Sequence, residues 1–440
     1  MNRLGQGVDL MTDPAKSPIT RGAAAGADTR LMPGHIEDAA RRLRRVIASA
    51  SFTSDSSRAG AVFEALRSSI AKSENLRDQR WQLAIRRIAR QMGCSEQLLE
   101  LSISALTRPL AQVCDFARMV KPRRELLGFV LPGNVPGAGL HEIVIALLAG
   151  CGLIVKSSAA EPVFFAEFAA TLNELDVRFG TAFGKLIEVF NWGRERTDLT
   201  RALLDACDCI AAFGDDITVA EFERRSPGVI GFASRVSGAA LLREAVVDDA
   251  ALEQNVRAIS VDCALFDQRG CLSPQHIFVE ERAEEFAART AAFFQEFAPR
   301  WGDGVPRIIG LENAAAIRAI RESVRWRRLG GAKVRMWEGA GFDWTVVFDR
   351  DARFTISPGF RTVFVSPFTT LTDFERRLQP VHGRLEGFAL AGRGAKLEAA
   401  AATLRRLGAT YICPPGEMQS PPLDWPHGGG AFLRLMLEGT

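Results

Sequence analysis

Several features that define common protein classes are missing from this sequence of 440 residues. The cysteines and histidines are dispersed, and because no CxxC pair occurs we expect no metal site. No apolar run is long enough to span a bilayer, and the N-terminal residues lack the apolar core of a secretion signal. These absences predict a cytoplasmic protein whose cysteines remain free thiols.

Concentrated charge is also missing. The net charge is +3, and the arginines are scattered along the chain among aspartates and glutamates. A nucleic-acid-binding surface usually groups its basic residues, so this pattern argues against one. Hydrophobic residues make up 47% and charged residues 24%, which is typical of a globular protein with a sizeable core. The length predicts two or three domains.

The apolar pattern divides the chain into four segments. Residues 1–33 are rich in glycine, alanine and hydroxyl residues without periodicity, and we expect them to form a mobile tail. Residues 34–245 begin with a helical layer, in which Trp81, Ile85 and Ile88 share one helix face, and continue as a Rossmann-like cofactor-binding domain. Residues 246–415 are predicted to form a second α/β domain, and residues 416–440 a C-terminal return segment.

The α/β class follows from apolar strands that alternate with helical segments. Such continuous apolar strands are typical of a parallel sheet covered on both faces, although no GxGxxG motif is present. The first set of predicted strands comprises residues 126–131, 152–156, 186–190, 209–213 and 229–233. The second set, after Cys271, comprises HIFVEE, KVRMW, WTVVF, RTVFVSP, GFALAG and ATYIC.

Cys271 is the first candidate for chemistry. It lies in FDQRGCLSPQHIFVE, at a turn that leads into a predicted strand, where a thiolate is able to attack a carbonyl or thioester carbon. A buried structural cysteine is the commoner alternative. Cys263 is the rival thiol, but it lies in the apolar run ISVDCALF and is expected to be packed.

Three further features follow predicted strands, where open α/β sheets bind ligands. Asn134, in the turn PGNVPGAG, is a candidate donor to an oxyanion, although a plain turn is the simpler interpretation. Lys156 ends a strand and is a candidate ligand of a nucleotide ribose or 2′-phosphate, or an ordinary strand terminator. Gly214 opens a helix whose backbone N–H groups suit a phosphate, whereas Asp215 or Asp216 is equally suited to cap that helix.

These elements, in this order, resemble the aldehyde dehydrogenase superfamily, and more closely the LuxC-type acyl-CoA reductases, the fatty acid reductase component of bacterial bioluminescence. The resemblance extends from about Glu125 to Met436. It is carried by GNVPG, LLAGCGLIVKSS, AAFGDD, FDQRGCLSPQHIFVE, DWTVVFD and LDWPHGGGAFLRLML. It implies an aldehyde dehydrogenase-like fold, with a Rossmann-like nucleotide-binding domain and a second α/β catalytic domain.

The resemblance also implies an activity, the NADPH-dependent reduction of a fatty acyl thioester to an aldehyde through an acyl-enzyme. Cys271 matches the acyl-accepting nucleophile and Asn134 the asparagine of the oxyanion hole. Lys156 matches the lysine that contacts the adenosine ribose, and Gly214 the turn beneath the pyrophosphate. The flanking residues expected to line the same cofactor site are Pro132, Ser158 and Phe213.

The chain departs from the aldehyde dehydrogenase pattern at three places. The segment that carries a glutamate base in hydrolysing members reads SRVSGAALL here, Ser234 to Leu242, without a carboxylate. Since no such base activates water, an acyl-enzyme should persist until it meets hydride, which favours reduction. Asp215 replaces a small hydroxyl residue near the pyrophosphate, and RTVFVSPF replaces the segment that holds the nicotinamide ribose.

Two alternative functions remain open on the sequence. One is a CoA-acylating dehydrogenase that oxidises a shorter aldehyde, and the other is an acyl-binding or acyl-transfer subunit without hydride chemistry. The acyl donor is acyl-CoA or an acyl group carried on a protein thiol, and a homo-oligomer or a partner acyl-transfer enzyme is compatible with the resemblance. His427, in WPHGGG, is a weaker catalytic candidate, and His141 is expected to be packed or to cap a helix.

Overall fold

The computed structural model describes residues 30–49, 56–71, 79–302 and 309–438 of the chain. Most of the predicted tail, residues 1–29, lies outside the described residues. The first helix begins at Pro33, at the end of the segment that we assigned to the tail.

A helical layer precedes the first sheet, as the apolar periodicity predicts. Its helices are α1 (Pro33–Ser49), α2 (Ser56–Ala71), α3 (Gln79–Met92), α4 (Glu96–Thr107) and α5 (Val113–Phe116). The side chains of Trp81, Ile85 and Ile88 are fully buried on one face of α3, which confirms the predicted face. Helix α4 begins where the hydroxyl of Ser95 accepts a hydrogen bond from the N–H of Leu98.

The first sheet is parallel, and its five strands are those predicted from the sequence. They are β1 (Leu126–Val130), β2 (Gly152–Ser157), β3 (Ile187–Asn191), β4 (Cys209–Phe213) and β5 (Val229–Phe232). Their order is β3-β2-β1-β4-β5, so the direction of the winding reverses between β1 and β4. That point is where doubly wound sheets bind nucleotides. The connecting helices are α6 (Leu140–Leu148), α7 (Phe164–Phe179), α8 (Thr197–Ala206) and α9 (Asp216–Arg225).

The second sheet has seven strands in the order β12-β11-β6-β7-β10-β9-β8, and all neighbours are parallel except β8 and β9. The strands are β6 (Val236–Leu241), β7 (Pro274–Val279), β8 (Val334–Glu338), β9 (Thr345–Asp349), β10 (Thr362–Pro367), β11 (Leu385–Ala391) and β12 (Tyr411–Cys413). The helices that accompany them are α10 (Asp249–Ala264), α11 (Ala283–Gly302), α12 (Leu311–Leu329), α13 (Leu371–Leu378) and α14 (Gly394–Arg406).

Strand β6 was not among the strands predicted from the sequence. It is fully buried, but its small residues give it little of the β-branched pattern that identifies a strand. A Cβ atom on Gly238 would lie 2.8 Å from the ring of Phe388, so glycine allows the neighbouring strand's side chain to pack there. Because β6 pairs with β7 and β11, the chain enters the second sheet before residue 245, earlier than the predicted domain boundary.

The C-terminal segment returns to the first sheet. Helix α15 (Ala431–Leu437) packs against α6, and the ring of Phe432 meets Phe129 edge-on at 5.9 Å. The N–H of Lys121 donates to the carbonyl oxygen of Met436 at 3.1 Å. This return carries the residues before α15 into the space between the two sheets. In the described part of the chain, no helix combines the length and the apolar character needed to cross a membrane.

Candidate active site

Cys271 lies in the turn that connects α10 to β7, and its side chain is half-buried. The carbonyl oxygen of Cys271 accepts a hydrogen bond of 2.6 Å from the hydroxyl of Ser237 in β6. The same hydroxyl accepts a hydrogen bond from the N–H of Gly387 at 2.9 Å, and Ser237 is completely buried. Ser237 therefore joins the turn of the predicted nucleophile, residues 265–273 and called the nucleophile turn below, to the neighbouring strands β6 and β11.

The backbone before Cys271 is strained. Phe266, Asp267 and Gln268 have φ values of 53°, 57° and 59°, in the left-handed region that costs non-glycine residues roughly 1–2 kcal/mol each. Phe360 and Arg361 adopt the same conformation opposite them, and the N–H of Phe360 donates to the carbonyl of Asp267. A buried ion pair of 3.2 Å between Arg361 and Asp267 also joins the two segments. These contacts hold the turn in a conformation that the isolated chain disfavours.

His427 is the side chain that the structure brings to Cys271. Its Nε2 atom lies 3.9 Å from the sulfur of Cys271, and its Nδ1 atom lies 2.8 Å from Oε1 of Glu142. Glu142 lies in the first turn of α6, and its side chain is only 7% exposed. The arrangement is a cysteine, a histidine and a carboxylate in series, in the order used by enzymes with an activated thiol nucleophile.

Aromatic rings fix the imidazole of His427. The ring of Trp425 stacks on it at a centroid distance of 4.1 Å, and Phe232 approaches at 4.8 Å. Phe213 lies 5.9 Å away and stacks on Phe232 with parallel planes at 4.1 Å. The imidazole therefore lies against the carboxyl ends of β4 and β5 and has little freedom to rotate away from Cys271.

The electrostatics of this cluster favour a charged pair between His427 and Glu142. Burial lowers the pKa of His427, but the carboxylate of Glu142 and the contact with Cys271 outweigh burial and raise that pKa well above its ordinary value. Burial raises the pKa of Glu142, and interaction with His427 outweighs it, so the pKa of Glu142 is lowered. The neighbouring His141 differs, because burial lowers its pKa and favours the neutral ring.

Cys263, the rival thiol, is completely buried in α10, as the apolar pattern predicts. Its sulfur lies 3.4 Å from the carbonyl oxygen of Pro274. Burial raises the pKa of this thiol well above its ordinary value. Cys263 therefore lacks both the access and the ionisation that a nucleophile needs.

Asn134 lies on the loop after β1 and faces the nucleophile turn. Its side-chain N–H donates a hydrogen bond of 2.8 Å to the carbonyl oxygen of Arg269, two residues before Cys271. A second amide hydrogen remains for another acceptor. Gly139 ends this loop with a φ of 88°, a conformation that favours glycine, and a Cβ atom there would lie 2.7 Å from Leu131. The loop thus places both Asn134 and the start of α6, with Glu142, beside Cys271.

Lys156 lies at the carboxyl end of β2, with its amine 5.9 Å from the ring centroid of Trp192. Burial, together with the nearby charge of Arg194, lowers the pKa of Lys156 to about 8. A buried side-chain oxygen of Asn191, at the end of β3, has no hydrogen-bond partner. The edge therefore combines two cations and a spare acceptor with the carboxylate of Glu195, which raises the pKa of Lys156 against the other two effects.

The other residues predicted at the cofactor site lie at the same edge but differ in accessibility. Gly214 follows β4, and Asp215 turns away to cap α9 by accepting a hydrogen bond of 2.7 Å from the N–H of Thr218. Pro132 and Ser158 are half-buried after β1 and β2. The side chain of Phe213 is buried and stacks on Phe232.

The structure also places the remaining segments in which the sequence departs from the aldehyde dehydrogenase pattern. RTVFVSPF, residues 361–368, contains the whole of β10 in the core of the second sheet. Its first residue, Arg361, and the preceding residue, Phe360, contact the nucleophile turn through Asp267. Strand β6 occupies most of Ser234 to Leu242, where Ser237 rather than a carboxylate approaches Cys271.

Two residues of this cluster were missed by sequence reasoning, Glu142 and Ser237. Glu142 is the one acidic residue in the apolar stretch HEIVIALL, and a charged residue in a buried helix needs a partner, which was an available signal. Ser237 left no such signal, because serine among small residues is common in loops as well as in strands. His427, a weaker candidate on sequence alone, lies at the centre of the cluster.

The fold and the cysteine-centred site define a class, the proteins with an aldehyde dehydrogenase-like fold. Similar solved structures include an aldehyde dehydrogenase from Bacillus cereus in complex with NAD+, with a TM-score of 0.64 and 15% identity over 87% of this chain and 81% of that one. An oxidoreductase from Marinobacter aquaeolei gives a TM-score of 0.69 with 13% identity, covering 89% of this chain and 84% of the other. At these identities the likeness shows the fold alone.

The family is shown by sequence. The model of the LuxC acyl-CoA reductase family matches residues 77–438, and the chain belongs to that family. Curated relatives include the long-chain acyl-protein thioester reductase of Vibrio harveyi, 27% identical over 179 residues, which are 39% of this chain and 36% of the relative. That of Aliivibrio fischeri is 26% identical over 153 residues, 34% of this chain and 30% of the relative. The chain thus aligns with about a third of the length of these relatives.

Proposed function

We propose that this protein reduces a fatty acyl thioester to an aldehyde with NADPH, through an acyl group held on Cys271. The observation that carries the proposal is the position of Cys271, half-buried between elements of both sheets, with His427 at 3.9 Å. Membership of the LuxC family and the names of the thioester reductases that it resembles support the choice of substrate and reaction.

The residues at the edge of the first sheet fit a nicotinamide dinucleotide. Lys156 and Arg194 offer positive charge for phosphate groups, and the unpartnered side-chain oxygen of Asn191 offers an acceptor for a ribose hydroxyl. Asp215 does not oppose a phosphate near Gly214, since its carboxylate caps α9. When bound, the cofactor supplies a hydride to the acyl carbon. We assign NADPH rather than NADH on the family resemblance and on the positive charge of Lys156 and Arg194, which lie beside the carboxylate of Glu195.

The chemistry of the chain's own residues starts at the sulfur of Cys271, which attacks the thioester carbonyl. The free amide hydrogen of Asn134 and the backbone N–H of Cys271 are the proposed donors to the oxyanion. The carbonyl then re-forms, the donor thiol departs, and the acyl group remains on Cys271. Collapse of the thiohemiacetal that follows reduction releases the aldehyde and regenerates the thiolate.

The absence of a carboxylate from Ser234 to Leu242 supports reduction rather than hydrolysis. In that stretch β6 contributes a serine hydroxyl that is already committed to the carbonyl oxygen of Cys271 and to Gly387. A hydroxyl so engaged is a poor base towards water. An acyl-enzyme at Cys271 is therefore expected to resist hydrolysis long enough for hydride transfer to occur.

Turnover measurements test this function directly. Purified protein is mixed with NADPH or NADH and a series of acyl-CoAs from short to long chains, and the nicotinamide oxidation and aldehyde are quantified. We expect turnover that peaks at one chain length, is faster with NADPH, and is absent in Cys271→Ala. Cys263→Ala is the matched control and should retain turnover, since that thiol is buried in α10. Normal turnover by Cys271→Ala would reject the assignment.

A further inference from the structure

We infer that His427, oriented by Glu142, is the acid–base group of thioester cleavage: it takes the proton of the Cys271 thiol to form the reactive thiolate, and as the imidazolium it gives a proton to the departing thiol. The inference rests on the proposed function and assigns a catalytic residue for it. His427 would touch the reacting sulfur atoms through Nε2, while Glu142 acts on His427 and is a positioning residue.

The geometry assigns separate tasks to the two ring nitrogens. Nδ1 lies 2.8 Å from Oε1 of Glu142, so its N–H is held by a carboxylate in either protonation state of the ring. Nε2 points towards the sulfur of Cys271 at 3.9 Å, so only this nitrogen exchanges a proton with the site. A carboxylate that fixes the tautomer and orientation of an imidazole is the arrangement found in acyl-transferring enzymes with a histidine base.

A glycine turn delivers the ring to this position. Gly428, Gly429 and Gly430 have φ values of 60°, 93° and 79°, a left-handed run that other residues rarely adopt. A Cβ atom on Gly428 would lie 3.0 Å from the ring of Phe232, so the turn also needs glycine for close packing. The sequence HGGG is thus explained by the placement of His427 against β5.

The charged and titratable groups around the imidazole come from three directions. Helix α6 contributes Glu142 and His141, and the nucleophile turn contributes Cys271. Strand β11 contributes Glu386, which accepts a hydrogen bond of 3.2 Å from the N–H of Gly428 and pairs with Arg235 at 3.2 Å. The positive charge of Arg235 compensates the negative charge of Glu386. The protonation of His427 is therefore governed by Glu142 and Cys271, and both favour the imidazolium.

Thioester cleavage transfers the acyl group to Cys271 and one proton from His427 to the donor sulfur. The thiolate of Cys271 forms a bond to the acyl carbon, the bond from that carbon to the donor sulfur breaks, and the electron pair stays on the donor sulfur. The proton on Nε2 of His427 transfers to that sulfur, which leaves as a neutral thiol. After reduction, Cys271 departs as a thiolate and solvent restores the proton on Nε2, so one proton is consumed for each aldehyde formed. Glu142 favours the imidazolium form of His427. An imidazolium has no free lone pair on Nε2, so it does not activate water as a base.

The dependence on the leaving group tests the assignment. Acylation of Cys271 is followed by intact mass without nicotinamide, using one acyl chain esterified to coenzyme A and to thiophenol. In His427→Gln, acylation from the CoA ester should fall by about 10²–10⁴-fold, the usual contribution of general acid–base catalysis. The loss with the thiophenyl ester should be at least about tenfold smaller, because thiophenolate departs without a proton. Glu142→Gln should show the same pattern with smaller losses.

A second measurement separates proton transfer from a packing role. The rate at which iodoacetamide alkylates Cys271 should fall in His427→Gln at pH 7 and recover at pH 9, where hydroxide removes the proton. The control is His382→Gln, which alters an exposed histidine. Equal losses with both esters, or an alkylation rate that stays low at pH 9, would overturn the assignment. If the wild-type protein accepts no acyl group from either ester, the proposed function itself fails.

Discussion

The hydroxyl of Ser237 donates a hydrogen bond of 2.6 Å to the carbonyl oxygen of Cys271 and accepts another from the N–H of Gly387. We expect Ser237→Ala to slow acylation of Cys271 by about tenfold, since misplaced catalytic groups lose rate steeply. Stability should fall by about 1–3 kcal/mol, because the buried N–H of Gly387 loses its acceptor. Ser234→Ala, an exposed serine of the same segment, is the control, and acylation kinetics with urea unfolding are the measurements. Unchanged acylation in Ser237→Ala would contradict this role.

The buried pair of Arg361 and Asp267 is predicted to hold the strained nucleophile turn. Each side chain is 3% exposed, so Arg361→Gln leaves a carboxylate in the interior and should lower the free energy of unfolding by about 3–5 kcal/mol. Arg118→Gln removes an exposed pair with Asp115 and should cost at most about 1 kcal/mol. Urea unfolding of both variants measures the free energy of unfolding that each one loses. Equal losses would show that the buried pair stabilises the fold no more than the exposed pair does.

Binding of NADPH should depend on the protonation of Lys156. Its pKa of about 8 means that the amine of the free protein loses its charge as the pH rises through 8, and affinity for an anionic cofactor then falls. The slope should reach at most about tenfold per pH unit for one proton. NADPH fluorescence titrations at pH 7 and 9.5 measure this. Lys156→Arg should flatten the dependence, and an equally steep fall in that variant would exclude Lys156.

His276 is predicted to make folding sensitive to acid. It is completely buried, its Nδ1 accepts from the N–H of Thr355 at 2.9 Å, and burial lowers its pKa to about 3. The unfolded chain takes up this proton below about pH 6.5, whereas the folded chain does not, so stability falls by about 1.4 kcal/mol per pH unit as the pH drops from 6 to 4.

Urea midpoints between pH 6 and 4 measure this effect of His276. His276→Gln should show a shallower fall with decreasing pH, because it lacks the titrating ring, whereas His382→Gln, at an exposed site, should match the wild type. A slope in His276→Gln as steep as that of the wild type would assign the acid sensitivity to other groups.

Most of the fold was predictable, because buried strands and amphipathic helices leave a periodic pattern. The five strands of the first sheet and the buried face of α3 are confirmed. Strand β6 was missed because Gly238 and its alanine neighbours supply neither alternation nor β-branched side chains. A strand of small residues is defined by what packs on it, here Phe388, and that partner lies far along the chain.

The candidate site was predictable only in part. Cys271 and Asn134 stand in turns that the sequence marks with glycine and proline, and the structure places those turns in contact. Glu142 and His427 are 285 residues apart, so no local pattern connects them. Their pairing depends on the return of the C-terminal segment to α6, a tertiary contact that local periodicity does not encode.

The acyl-enzyme chase tests the central claim most directly. The protein is incubated with a long-chain acyl thioester without nicotinamide and freed of excess substrate. One portion is digested for peptide mass mapping, and the other portion is mixed with NADPH. We predict an acyl group on the peptide that contains Cys271 and the release of one equivalent of aldehyde when NADPH is added. An acyl group on a different residue, or aldehyde formation by Cys271→Ala, would contradict the account.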